Sequence, residues 1–63
     1  MIRYWVHDTI LGDNIEFKTA KSAIKWAEKM GNLLKMSLPD YDGKVYQVYQ
    51  QDRTYKPNKI KEF

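Results

Sequence analysis

Cysteine is absent from this 63-residue chain, histidine occurs once, proline twice and glycine three times. Each scarcity excludes something. Without Cys there is no disulfide framework, and His7 alone cannot assemble a zinc site that needs four ligands. The two staples that small domains most often add are therefore missing. A chain this short buries only about 60% of its unfolded surface, so its core must be thin. The lack of Cys fits a reducing compartment. No apolar run approaches the ~20 residues that cross a bilayer. Met1-Ile2-Arg3-Tyr4-Trp5 also lacks the charged-then-apolar order of a secretion signal. These features predict a cytoplasmic protein with no membrane partner.

Reaction chemistry is equally sparse. There is no glycine-rich nucleotide loop and no nucleophile elbow. Asp8 follows His7 directly, so on a strand the two project to opposite sides and cannot act as an acid–base pair. Asp40-Tyr41-Asp42 carries two carboxylates without the spacing of a calcium loop. The expectation is a protein that is not an enzyme, with no cofactor and no metal.

What the chain has in plenty is periodicity. Ala20, Ala23, Ile24, Ala27, Met30, Gly31 and Leu34 fall on one narrow helical stripe, and Lys21, Lys25, Lys29, Asn32 and Lys35 lie opposite. That is an amphipathic helix with one buried and one solvated face. A stripe of Ala and Gly lets it lie close against a sheet. Thr19 suits the N-cap. The helix is expected to reach about Met36, with Pro39 as a barrier beyond it. Gly31-Asn32 is the competing stop signal, in which case Leu34, Met36 and Leu38 would line another strand.

Strand signals flank the helix. Ile2, Tyr4 and Val6 alternate with Arg3, Trp5 and His7, and after the turn cluster Gly12-Asp13-Asn14 the alternation resumes at Ile15 and Phe17. Beyond the Pro39–Gly43 turn, residues 44–50 hold Val45, Tyr46, Val48 and Tyr49, all of high β-propensity. A reversal at Gln51-Asp52 would return Arg53–Lys56 as a last strand, with Pro57 marking its exit. The chain thus predicts an α+β fold: a small ββαββ domain over residues 1–57, an antiparallel sheet with one helix on one face, and a loose tail over 58–63.

One helix covers one face, so the other must meet water or a partner. With Ile2, Tyr4 and Val6 under the helix, Arg3, Trp5 and His7 point away. The third strand adds either Tyr46 and Val48 or Val45 and Tyr49. Trp, Tyr and Arg carry most of the energy at binding hot spots, which makes Arg3, Trp5, Tyr46 and Arg53 the candidate partner-binding residues. The leading expectation is a non-catalytic module that docks on another protein, as a monomer or homodimer. The alternative is nucleic acid. Eleven Lys+Arg against eight Asp+Glu give a net charge of +3, mild for such a partner. Lys21, Lys25 and Lys29 would then contact phosphates while the aromatics stack on bases.

The order of hairpin, single Ala-rich helix and hairpin, with the helix opening Thr19-Ala20-Lys21-Ser22-Ala23-Ile24-Lys25-Trp26-Ala27, resembles small domains encoded by phages and bacteria. Phage host-takeover inhibitors are among them. The resemblance implies an inhibitor or modulator of a host protein, and it transfers no individual residue.

Overall fold

Alternation over the first eight residues produces strand β1 (Ile2–Asp8), and a short β2 (Asn14–Phe17) returns beside it. The loop between them is built by Asp8. Its carboxylate accepts from the N–H groups of Ile10 and Leu11 at 2.9 and 3.1 Å, and its carbonyl accepts from Gly12 N–H at 2.8 Å. Gly12 sits at φ 78°, a conformation that costs glycine little. Helix α1 (Ala20–Ser37) follows, then β3 (Tyr46–Asp52) and β4 (Asn58–Glu62). The computed structural model describes residues 1–63 in full.

The four strands form one antiparallel sheet in the order β2-β1-β3-β4. The first strand is therefore zipped to the third, and the two ends of the chain meet in one layer. The helix lies across one face, and the expected ββαββ architecture is the observed one.

Thr19 caps the helix, its Oγ1 accepting from Ser22 N–H at 3.1 Å. At the other end Leu38 N–H donates to Leu34 O at 2.7 Å, and Pro39 blocks a further turn. Gly31 does not stop the helix. It lies buried within it, next to Phe63: a Cβ built on Gly31 would sit 3.1 Å from Phe63 Cβ. The glycine is there for close approach. Ala23, Ala27 and Gly31 form the contact stripe, and the core beneath comprises Val6, Val45, Tyr46 and Val48. Tyr4, Phe17, Ile24, Trp26, Met30, Leu34 and Phe63 seal its margins.

Two expectations are corrected at the C-terminal end. Arg53–Lys56 is not a strand but a turn, with Tyr55 N–H bonded to Asp52 O at 3.0 Å and Arg53 at φ 56°. Residues 58–63 are not a loose tail. They supply β4 and then Phe63, which exchanges backbone bonds of 2.8 and 2.9 Å with Tyr46. Pro57 has no N–H to give a ladder, so it precedes the last strand rather than closing it.

Candidate functional site: the open sheet face

Strand pairing decides which side chains share the face away from the helix, because residues opposite one another in a ladder project to the same side. Trp5 stands opposite Glu16 on β2 and Tyr49 on β3, and Tyr49 stands opposite Lys59 on β4. A row Glu16–Trp5–Tyr49–Lys59 therefore crosses the whole sheet. A second row, Asn14–His7–Gln47–Glu62, runs alongside it, and Arg3 with Gln51 begins a third.

At the centre, Trp5 and Tyr49 are stacked with ring centroids 5.7 Å apart and planes inclined by 17°. Such pairs contribute about 0.5–1.5 kcal/mol beyond their burial. Arg3 places its guanidinium 5.9 Å from the Trp5 ring centroid and forms an ion pair with Glu16, its Nε donating to Oε1 at 3.0 Å. On the other flank Lys59 donates to Glu62 at 3.1 Å. Residues three apart on a strand normally face opposite sides. Here Ile60 is an extra residue between the pairings of Tyr49 with Lys59 and of Val48 with Lys61, so 59 and 62 share a face. In the second row His7 Nδ1 lies 2.8 Å from Asn14 Oδ1, and the Tyr49 hydroxyl donates to Gln47 Oε1 at 2.9 Å.

Both cations on this face are thus paired with its two carboxylates. The face carries aromatic rings, amides and self-neutralised charge. Arg3, Trp5, Asn14, Glu16, Gln51 and Pro57 border an open, shallow depression of about 370 Å³.

The four predicted contact residues do not stay together. Arg3 and Trp5 lie on the open face. Tyr46 does not: it is 7% exposed, faces the helix, and meets Trp26 edge-on at 5.7 Å. Val45 lies just before β3, its carbonyl accepting from Thr9 N–H and Oγ1 at 3.1 and 3.0 Å. Alternation consequently begins at Tyr46, and Tyr49 takes the outer position. Burial pushes the Tyr46 phenol above its ordinary pKa, with the Asp8 carboxylate adding to the effect. Arg53 sits exposed in the β3–β4 turn rather than on a strand. Tyr49 lies on the face, as one of the two expected registers has it, while Val45 of that register is buried. Gln47 and Lys59 also belong to the face and are not among the predicted residues.

Lys21, Lys25 and Lys29 are exposed on α1, which packs on the opposite face of the sheet from Trp5 and Tyr49. No group of three or more His, Cys, Asp or Glu side chains is placed to hold a metal ion. No helix is long and apolar enough to cross a membrane. Compared with protein-family models, curated proteins and solved structures, the chain finds no match in any of the three.

Proposed function

We propose that this chain is a small non-catalytic protein-binding module that docks through its open sheet face, in the manner of a phage-type inhibitor or modulator of a host protein. The observation that carries the reading is the Trp5–Tyr49 stack at the centre of a face that no other element covers. Rigid aromatic rings framed by Arg and amides make a contact centre with little rotamer entropy to lose.

The arrangement favours protein over nucleic acid. A strand of nucleic acid would need the aromatic platform and the phosphate-binding lysines on one surface. Here Lys21, Lys25 and Lys29 lie on the helix, and the carboxylates of Glu16 and Glu62 stand beside Arg3 and Lys59, so the ring face carries no net positive charge to attract phosphates. A neutral, amide-rich surface suits the polar rim and aromatic centre of a protein contact.

The test is affinity capture from a bacterial lysate with identification by mass spectrometry. The wild-type chain is compared with W5S/Y49S and with K21E/K25E/K29E, each checked for folding by circular dichroism. A protein retained by wild type and by the lysine variant, and lost from W5S/Y49S, is the expected result. Retention that depends on the lysines and fades steeply with salt would overturn it in favour of nucleic acid.

A further inference from the structure

We propose that the occupant of the open sheet face is a second copy of this chain, packed face to face about a two-fold axis that runs along the strands. This rests on the reading of that face as a protein contact surface, and it names the partner.

The order of side chains along the rows is what makes the face fit itself. From β2 to β4 the central row reads carboxylate, indole, phenol, ammonium: Glu16, Trp5, Tyr49, Lys59. A two-fold axis along the strands, between β1 and β3, reverses left and right while keeping each row at its own height. Glu16 then faces Lys59 of the other copy, and Trp5 faces the other copy's Tyr49. Both contacts occur twice. The second row obeys the same operation. Asn14, whose amide nitrogen donates, faces the acceptor Glu62, and His7 faces Gln47, which has both a donor and an acceptor. A two-fold contact must be self-complementary, and every charge on these two rows meets its opposite or a donor.

The monomer's own ion pairs do not compete strongly. The side chains of Arg3 and Glu16 are 57% and 58% exposed, and those of Lys59 and Glu62 43% and 35%. Exposed pairs of this kind are weak, so Glu16 and Lys59 are free to share their charge with a facing partner. Sheets pack about 10 Å apart with strands nearly aligned. Four strands ~4.8 Å apart and about five residues deep give a face roughly 15–20 Å on a side. That extent places the pair among low-area, transient interfaces. Meanwhile β4 carries Lys59 and Lys61 and enters from Pro57, features that guard a sheet edge against pairing. The other edge, β2, is only four residues long and offers little to pair with.

Charge reversal tests the row directly. Sedimentation velocity is run on the wild-type chain, on E16K, on K59E and on an equimolar mixture of the two variants, up to about 0.5 mM as a transient contact requires. Wild type is expected to show a reversible monomer–dimer equilibrium. Each variant alone is expected to be weakened about tenfold or more, because like charges meet twice. In the mixture, both ends of the E16K row are cationic and both ends of the K59E row are anionic. Opposite charges then meet at both contacts, and dimer returns to near the wild-type level. Circular dichroism confirms that all remain folded, and W5S supplies a further loss of dimer that leaves the charges intact. A wild-type chain that stays monomeric throughout overturns the second copy. The broader reading then stands or falls separately, on whether W5S/Y49S loses a foreign protein in the capture experiment. A dimer indifferent to the single reversals, or a mixture no better than its components, also overturns the proposal.

Discussion

At the scale of single residues, a few side chains carry most of what the fold needs. Val48 is fully buried at the junction of sheet and helix. Replacing it by Ala removes two carbons at about 0.8 kcal/mol each and leaves a cavity, for an expected loss of about 2–3 kcal/mol in denaturant titration. In a domain of this size that is a large share of the total. Thr19→Ala removes the acceptor for Ser22 N–H and is expected to cost about 1 kcal/mol by the same measurement. Tyr46 adds a pH dependence. Its phenol titrates above 10.0 in the folded chain because burial disfavours the phenolate. Below pH 10 both states keep the proton, and the contribution of this group is constant. Above it the unfolded chain releases the proton first, so stability falls as pH rises towards the folded value. In alkaline unfolding curves, Tyr46→Phe should show a shallower loss above pH 10 than wild type, since it keeps the ring against Trp26 without the ionising hydroxyl.

At the scale of elements, the helix and β4 are locked together at one place. Phe63 lies against Gly31, where even a Cβ would be 3.1 Å from the Phe63 Cβ. Gly31→Leu gains helix propensity but overpacks that contact, and is expected to destabilise by about 1–3 kcal/mol in denaturant. Amide hydrogen exchange in β4 should accelerate in the same variant, because Phe63 can no longer seat. The lock explains what is legible in the chain and what is not. Lysines at 21, 25 and 29 against alanines at 20, 23 and 27 announce the helix, since both patterns are local and share its period. Gly31 reads equally as a stop or a contact, and only a residue 32 positions away decides between them. Likewise β4 hides its period: the extra residue at Ile60 spoils the alternation of Lys59, Lys61 and Phe63. Tyr46 misleads for a related reason. Val45 and Tyr46 are both buried in succession, which no single strand register produces, and the boundary of β3 falls between them.

At the scale of the whole molecule, the decisive feature is a sheet covered on one side only. Both ends of the chain contribute to it through the β1–β3 pairing, so the outer rows exist only once the fold is complete. Arg3 and Trp5 are visible from strict alternation in β1. The alternation of β3 leaves Tyr49 open as one of two alternatives, and only the pairing with Trp5 decides for it. Gln47 and Lys59 join through pairings between distant segments, which leave no local trace in a sequence. The same separation sets the lysines of α1 on one side of the molecule and the aromatic rows on the other. Two tryptophans now report on the two layers: half-buried Trp5 stacks on Tyr49 on the face away from the helix, and Trp26 packs between Phe17 and Tyr46 at the core margin. The most direct measurement is a dilution series of ¹H–¹⁵N spectra that follows both indole N–H signals. Progressive shifts of the Trp5 indole and of β1 and β3 amides as concentration rises, with the Trp26 indole stationary, are the predicted result. A Trp5 signal that never moves, or one that moves only together with Trp26 and the helix, would contradict the account.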